Sequence, residues 1–290
     1  MPLRTDGTMP VPELLPGRIV HLPGRGEIFV RHHQHEDASR PTVLLLHGWT
    51  ASCDTQFFTA YEELRREYSI IGVDHRGHGR GLRPNRTFSL EDCADDAAAV
   101  VRALGVQKVI TVGYSMGGPV SFLVWKQHPD IVEGMVFQAT AMEWSATRGE
   151  RARWKVSHAL SPVFRRLATP RVVRWGVRRS VPRGHELSRY VPWMVGEIRR
   201  NDIWMIQEAG RAISTFDARP FASSINVPTA MVLTTRDRLV QPQKQRALAD
   251  AVRAEVVELH GDHIVTLEQP REYADATRRA VGSVARPAAR

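Results

Sequence analysis

Short apolar runs and amphipathic stretches alternate along most of the chain. From PTVLLLHG onward, each apolar run ends on glycine or on a polar residue, and a segment of helical character follows it. Eight runs have the composition of strands: GRIVHLP, GEIFVRHH, PTVLLLHG, YSIIGVDHRGHG, QKVITVGYS, IVEGMVFQAT, VPTAMVLTTRD and AEVVELHGDH. The near-continuous ones are typical of strands buried on both faces. Strands that alternate with helices predict an α/β fold with parallel neighbours and right-handed crossovers.

The segments between these runs predict the helices. The first two runs are joined at Pro23 and Gly24 and read as a hairpin. The predicted helices cover Asp54 to Glu67 and the segments SLEDCADDAAAVVRALGV, GGPVSFLVWKQHP, PQKQRALADAV and LEQPREYADATRRAVGSVA. In SLEDCADDAAAVVRALGV, Ser89 is the expected N-cap and Gly105 marks the end of the helix. Together the elements predict a mostly parallel eight-stranded sheet flanked by helices.

The alternation stops for about eighty residues after Thr140. The stretch from Glu143 to Arg211 reads as helical and basic, and prolines at positions 162, 170, 182 and 192 divide it into short pieces. It also holds five of the seven tryptophans. We therefore predict one core domain formed by residues 1–140 and 221–290, with residues 141–220 inserted as a helical cap.

The positive charge of the chain is concentrated in that predicted cap. Residues 141–220 contain 16 Lys and Arg against 7 Asp and Glu, an excess equal to the whole net charge of +9. No nucleic-acid-binding motif accompanies the charge, so we expect no nucleic-acid partner. Two interpretations stay open. The cap could contact an anionic membrane peripherally, or the chain could simply favour arginine, since only 4 of its 40 basic residues are lysine.

The remaining composition is that of an ordinary globular protein. The first 17 residues contain no continuous apolar region, which argues against a secretory signal. No window reaches the ~18 uninterrupted apolar residues of a membrane span. Cys53 and Cys93 are too few and too far apart for a zinc knuckle or a disulfide framework. We therefore expect a cytoplasmic protein.

One short motif points to chemistry. Gly113-Tyr114-Ser115-Met116-Gly117 follows a predicted strand and opens a predicted helix. This is G-x-S-x-G in the setting of a nucleophile elbow, where the flanking glycines permit a sharp turn that exposes the serine hydroxyl. The N–H groups at the start of the helix favour negative charge at the same place. Ser115 is therefore the candidate nucleophile.

A serine nucleophile needs a base, and the base needs a carboxylate to orient it. Asp237 follows the penultimate predicted strand and His263 follows the last one. The order Ser115, Asp237, His263 is the serine, acid, histidine order of this architecture, and all three fall at the carboxyl ends of parallel strands. We predict these three as the catalytic residues.

Other residues compete for the same roles. His260 competes with His263 as the base, and Asp262 and Glu143 compete with Asp237 as the acid. We expect His47 to support a turn beneath the oxyanion hole, and His75 and His78 to be structural residues of a tight turn. The run HHQHED at residues 32–37 invites a metal hypothesis, but its spacing fits neither an H-E-x-x-H helix nor a ligand set fixed on rigid elements. We favour a solvated loop there and expect no metal.

The chain resembles α/β-hydrolase-fold serine hydrolases over residues 17 to 283. The segment LLLHGWT resembles the His-Gly turn of that family, and DHRGHGRG resembles its Asp-x-Arg-Gly-x-Gly segment, with Gly81 where serine is common. The resemblance implies an oxyanion hole formed by the backbone N–H groups of Trp49 and Met116. The turns that support it contain His47, Gly48, Gly113 and Gly117.

The resemblance also implies an activity. We expect a serine esterase of the carboxylesterase, lipase or thioesterase type that hydrolyses an apolar ester or thioester through an acyl-enzyme, without a metal or organic cofactor. The cap would act as a lid that selects a small-molecule or lipid substrate. A cofactor-free perhydrolase or haloperoxidase, or a C–C bond hydrolase, would use the same triad. A ligand receptor on this fold that does not turn over is an alternative of another class.

Overall fold

The computed structural model describes residues 9–167 and 169–285. The two ends of the predicted core domain, residues 1–8 and 286–290, lie outside this range, as does part of the N-terminal segment that we expect to lack a secretory signal. Among the described helices, none is long and apolar enough to cross a bilayer.

The core is one sheet of eight strands, as predicted. Its spatial order is β1-β2-β4-β3-β5-β6-β7-β8. β2 pairs antiparallel with β1 and β4, and the other neighbouring pairs are parallel. The carboxyl ends of β3 to β8 therefore meet at one edge. The strands are β1 (Gly17–Leu22), β2 (Gly26–His33), β3 (Thr42–Leu46), β4 (Ser69–Val73), β5 (Val109–Tyr114), β6 (Val132–Gln138), β7 (Thr229–Thr234) and β8 (Glu255–Leu259).

Twelve α-helices lie in the described part of the chain. Short 3₁₀ turns occur at Pro129–Ile131, Glu186–Tyr190 and Ala222–Ser224. The α-helices are α1 (Cys53–Phe57), α2 (Tyr61–Arg65), α3 (Leu90–Ala103), α4 (Gly117–Gln127), α5 (Arg148–Ala159), α6 (Ser161–Leu167), α7 (Pro170–Ser180), α8 (Val191–Ile198), α9 (Ile203–Thr215), α10 (Pro242–Ala251), α11 (Val265–Glu268) and α12 (Pro270–Ala285).

The helices cover the sheet on both faces, so its buried strands need no polar face. Helices α3 and α4 pack together against one face, and α12 packs across β7 and β8 on the other. The predicted boundaries of α3 are confirmed, because Ser89 accepts the N–H of Asp92 and Gly105 has a φ of +72°.

Five helices, α5 to α9, lie between β6 and β7 in the region predicted as the cap. Prolines stand at or near the starts of α6, α7 and α8, where a missing N–H costs least. Helix α9 packs against α3 and α8 packs against α1. The division of the chain into a core domain and a cap stays a prediction.

Two predicted helices are wrong in detail. The single helix expected from Asp54 to Glu67 is divided into α1 and α2 by a turn over residues 58–60, where the Ala60 N–H bonds to the Phe57 carbonyl oxygen three residues back instead of continuing the α-helical pattern. The expected closing helix is divided at Pro270, which starts α12 and cannot continue α11.

The helix that follows Ser115 is anchored by an aromatic cluster. Phe122 of α4 is fully buried, with its ring centroid 4.6 Å from that of Phe137 on β6 and 5.9 Å from that of Phe221. We predict that Phe122→Ala lowers the free energy of unfolding by about 3–5 kcal/mol, through lost burial and the cavity left behind. Urea unfolding at neutral pH measures this.

The matched control is Ile19→Ala, at a site that is 58% exposed on β1. It should change the free energy of unfolding by less than about 0.5 kcal/mol. If both substitutions changed the free energy of unfolding equally, the aromatic cluster around Phe122 would not be a main source of stability.

Candidate active site

Ser115 lies in a sharp turn between β5 and α4. Its φ is +52°, a left-handed value that is costly for a residue with a Cβ. The turn closes only because its flanking residues are glycines: a Cβ on Gly113 would overlap the carbonyl oxygen of Gly117, and a Cβ on Gly117 would overlap that of Leu46. The serine hydroxyl is thereby directed away from the end of the strand.

Hydrogen bonds from neighbouring elements hold this turn. The Ser115 N–H donates to the carbonyl oxygen of Gln138 at 2.9 Å. The Ser115 carbonyl oxygen accepts from the Thr140 hydroxyl at 2.7 Å and from the Gly118 N–H at 2.9 Å. Because both backbone groups are satisfied, the strained conformation is fixed by β6 and α4 together.

The structure brings the three predicted catalytic side chains into one row. Ser115 Oγ lies 3.1 Å from His263 Nε2, and His263 Nδ1 lies 2.8 Å from Asp237 Oδ2. These residues come from the ends of β5, β7 and β8. The imidazole is thus in contact with both the hydroxyl and the carboxylate, and the row can pass a proton from serine to histidine.

The Asp237 carboxylate is buried and surrounded by donors. Oδ1 accepts the N–H groups of Leu239 at 2.9 Å and Val240 at 2.8 Å. Oδ2 accepts the Thr234 hydroxyl at 2.9 Å and the Gln245 amide at 3.2 Å. Such donors compensate a buried carboxylate for the water it loses, and they fix its orientation beside the histidine.

Two residues that support the row, Gln245 and Tyr114, were not predicted from the sequence. Gln245 lies on the buried face of α10 beside Leu248 and Ala249, and a polar residue among apolar neighbours was a readable signal. Tyr114 donates its hydroxyl to the carbonyl oxygen of His263 at 2.7 Å. Burial raises the pKa of Tyr114, so that its hydroxyl remains a donor. A tyrosine inside a buried strand gives no sequence signal for this role.

The competing base and one competing acid lie outside the row. His260 is exposed and its Nδ1 lies 2.9 Å from the Thr235 hydroxyl. Asp262 accepts the backbone N–H groups of His263 at 2.7 Å and of Arg238 at 3.0 Å. Its carboxylate therefore contacts the backbone of the histidine, whereas Asp237 contacts the ring.

The other competing acid, Glu143, is paired elsewhere. Its carboxylate lies 2.9 Å from Lys244 Nζ and accepts the Ala146 N–H at 3.0 Å. The described hydrogen bonds of Glu143 include none to His263.

The two predicted oxyanion donors flank the serine turn. Met116 is the N-cap residue of α4 and follows Ser115 directly. Trp49 is anchored through its indole, whose Nε1 donates to the carbonyl oxygen of Ile206 at 2.7 Å. Within the described chain, neither backbone N–H donates to another protein group. Both groups are therefore free to receive a ligand oxygen, and their pairing as an oxyanion hole stays a prediction.

The His47–Gly48 turn lies directly against the elbow. His47 Nδ1 lies 2.8 Å from the Gly48 carbonyl oxygen, and its Nε2 accepts the His75 N–H at 2.9 Å. A Cβ on Gly48 would lie 3.3 Å from the Cβ of Ser115. With both ring nitrogens engaged in the backbone, His47 is placed as a support of the turn.

Comparison with known proteins decides the family. The family model described as the alpha/beta hydrolase fold matches residues 41–270. The chain belongs to this family. The expected fold class is thereby confirmed, and relatives of this α/β hydrolase include esterases and other hydrolases.

Two curated relatives illustrate the range. The chain is 34% identical over 101 residues to 2-(acetamidomethylene)succinate hydrolase of Mesorhizobium japonicum. This match covers 35% of this chain and 36% of that protein. It is 36% identical over 92 residues to a bifunctional esterase/perhydrolase of Acinetobacter calcoaceticus, covering 32% of this chain and 33% of the relative. These matches span about a third of each relative's length.

Similarity of structure extends much further along the chain. An esterase from Exiguobacterium antarcticum superposes with a TM-score of 0.78 at 18% identity, over 92% of this chain and 100% of that one. At this identity the likeness concerns the fold alone.

A cavity of about 770 Å³ opens at the Ser115 side of this α/β hydrolase. Apolar side chains from the sheet edge and from helices α5, α7, α8 and α9 form much of its wall. A groove of about 860 Å³ beside α2 and α12 is larger but contains none of the three side chains in the row. The apolar wall of the Ser115 cavity includes Trp49, Trp144, Trp154, Val173, Val177, Met194, Ile198, Ile213, Leu239, Val240, Ile264 and Leu267.

Two cations in the cavity wall differ in their pairing. Lys244 on α10 forms ion pairs with Glu143 and Glu150, which lie between β6 and β7. Burial alone would raise the pKa of Glu150, but the Lys244 ammonium and the Thr147 N–H lower it below its usual value. Arg153 on α5 also lines the cavity and forms no ion pair with a described acidic residue.

Two histidines of the HHQHED segment contact backbone carbonyl groups. His33 Nε2 lies 3.1 Å from the Arg65 carbonyl oxygen, and His35 Nε2 lies 3.2 Å from that of Arg66. In the residues that the structure describes, no group of three or more His, Cys, Asp or Glu is arranged to hold a metal ion.

Three buried histidines surround the turn behind the site. The ring centroids of His75 and His78 lie 4.4 Å and 5.2 Å from that of His47. Burial lowers the pKa of His47 to about 4 and that of His78 to about 3. Burial and the other two imidazoles hold the pKa of His75 well below its usual value. All three are therefore neutral at physiological pH.

These histidines predict a loss of stability in acid. The unfolded chain binds protons near pH 6.5 and the folded chain does not, so the free energy of unfolding falls as pH drops below that value. Between pH 7.5 and 5.5 we expect the three to account for a loss of about 4 kcal/mol, because each histidine contributes about 1.4 kcal/mol over this interval, most of it below pH 6.5.

Urea unfolding across this pH range measures the loss. His78→Gln should reduce the pH slope by about one proton. A free energy of unfolding that stays level from pH 7.5 to 5.5 would show that these imidazoles are not held neutral.

Proposed function

We propose that this protein is a serine hydrolase that cleaves carboxylic ester or thioester bonds of apolar acyl substrates. The observation that carries the proposal is the row of Ser115, His263 and Asp237 at the wall of an apolar cavity, with contacts of 3.1 Å and 2.8 Å. A hydroxyl that lines the cavity, on a strained residue and in contact with an oriented imidazole, is the arrangement of an activated nucleophile.

The proposed reaction has two halves. His263, oriented by Asp237, takes the Ser115 proton as the hydroxyl oxygen attacks the ester carbonyl. The Trp49 and Met116 N–H groups bind the oxyanion, and each such donor can stabilise the transition state by ~3 kcal/mol. The intermediate expels the alcohol or thiol, which takes the proton from His263. Water, activated by the same histidine, then attacks the acyl-enzyme and releases the acid.

The cavity supports an apolar acyl group. Its volume of about 770 Å³ falls in the range of small-molecule sites, and tryptophan and aliphatic side chains provide most of the contact surface. The named relatives, a hydrolase and an esterase/perhydrolase, act through hydrolysis or acyl transfer according to their names. Ester cleavage is consistent with these names and with a triad that needs no cofactor.

The nucleophile can be tested by one substitution. Ser115→Ala should lower kcat for p-nitrophenyl esters by about four to six orders of magnitude, because the residual binding groups act without a nucleophile. Steady-state hydrolysis of esters of graded chain length measures this loss and the acyl preference together.

Ser157→Ala is the matched control, since Ser157 lines the same cavity outside the row. It should leave kcat within about tenfold of the wild type. Activity retained by Ser115→Ala would refute the mechanism. A stoichiometric release of p-nitrophenol without turnover in the wild type would instead favour a receptor.

Perhydrolysis is a second candidate, favoured by the similarity to the bifunctional esterase/perhydrolase. The same acyl-enzyme would transfer its acyl group to hydrogen peroxide, forming a peracid in place of the acid. We predict peroxide-dependent halogenation of a dye in the presence of bromide and a short-chain ester, abolished by Ser115→Ala. Halogenation that persists in that variant would exclude this route.

A further inference from the structure

Helices α5 to α7 carry a concentration of positive charge that the protein leaves unpaired. Residues 151–183 contain ten Lys and Arg and no Asp or Glu. Carboxylates that flank this stretch along the chain pair with other cations: Glu150 with Lys244, Glu186 with Arg271, and Glu197 with Arg80. Where the structure describes the side chains of these ten cations, none forms an ion pair with a described acidic residue.

Part of this charge lies on one face of α7, mixed with exposed apolar side chains. On this helix Trp175 is 64% exposed and Val172 is 48% exposed. The guanidinium of Arg179 lies 5.7 Å from the Trp175 ring. We call this surface the α7 outer face; it comprises Arg171, Val172, Arg174, Trp175, Arg178 and Arg179.

The opposite face of the same helix belongs to the active-site cavity. Val173, Gly176, Val177 and Ser180 line the cavity that contains Ser115. A helix with its side chains is about 10 Å across. Anything bound to the α7 outer face therefore lies about one helix diameter from the cavity.

Exposed apolar side chains also occur on α5 and α6, the two helices that precede α7 along the chain. Val156 and Leu160, on and directly after α5, are 56% and 43% exposed, and Val163 on α6 is 49% exposed. Polyanions such as nucleic acid or an acidic protein would be attracted by the cations alone. An exposed tryptophan with valine and leucine among unpaired arginines favours a surface that offers both phosphates and hydrocarbon.

We propose that the α7 outer face docks on the surface of an anionic lipid bilayer. The arginines contact lipid phosphates, and Trp175 and Val172 enter the boundary between headgroups and acyl chains. Docking needs no catalysis. Its functional consequence, delivery of an apolar ester from the bilayer to the cavity, rests on the proposed hydrolase activity.

Vesicle co-sedimentation tests the docking separately from the chemistry. The full chain carrying Ser115→Ala is mixed with vesicles of phosphatidylglycerol and phosphatidylcholine, or of phosphatidylcholine alone. We expect sedimentation with the anionic vesicles at low salt and its loss at about 1 M salt, where the Debye length falls to about 3 Å. Absence of binding to anionic vesicles at low salt would overturn the proposal without affecting the proposed hydrolase.

Charge-matched variants locate the surface. Arg174→Gln with Arg178→Gln should weaken vesicle binding by roughly tenfold or more. The control, Arg246→Gln with Arg279→Gln, removes the same charge from exposed residues on α10 and α12 and should leave binding unchanged. Equal weakening by both pairs would indicate a general effect of net charge and contradict a defined docking face.

Trp175→Ala tests the contact with hydrocarbon. It should weaken vesicle binding and leave the binding of a soluble polyanion, a short DNA duplex, unchanged. If vesicle binding is insensitive to this substitution while DNA competes for the same arginines, the surface serves an acidic macromolecule and the bilayer proposal is wrong. Circular dichroism of each variant verifies that the helices remain folded.

Discussion

The site depends on one strained residue held at the end of a buried strand. Ser115 keeps a φ of +52° because the sheet and the following helix satisfy both its N–H and its carbonyl oxygen, through Gln138, Thr140 and Gly118. Without that restraint the turn would relax and the hydroxyl would leave the imidazole. The rigidity of the parallel sheet is thus used to hold a geometry that an isolated turn would not maintain.

A second constraint is the burial of charge beside the nucleophile. Asp237 is an acceptor for two backbone N–H groups, a hydroxyl and an amide, which compensate its buried carboxylate for lost water. Since the same carboxylate contacts His263 Nδ1, the favoured tautomer of the ring has its proton on Nδ1. Helices α5, α7, α8 and α9 supply much of the apolar wall beside this row, and residues 141–220 hold a charge excess equal to the net charge of the protein.

Much of this arrangement was readable in the sequence, and the failures have physical causes. Ser115 was identified because glycines flank it between a strand and a helix, and His263 because it follows the last strand. Gln245 was missed although it stands on an apolar helix face, since its contact with Thr234 of β7 depends on how α10 packs against the sheet. Nor could local propensity predict the break after Phe57, because no glycine or proline marks it between Cys53 and Arg65.

The central claim is that Ser115 is an activated nucleophile. The most direct measurement is to label the folded wild-type protein with a fluorophosphonate and locate the adduct by mass spectrometry of its peptides. If His263 activates Ser115, a single adduct forms on Ser115, rapidly at neutral pH, and replacing His263 by alanine prevents it. An adduct on another residue, or an unmodified Ser115 in folded protein, would contradict it.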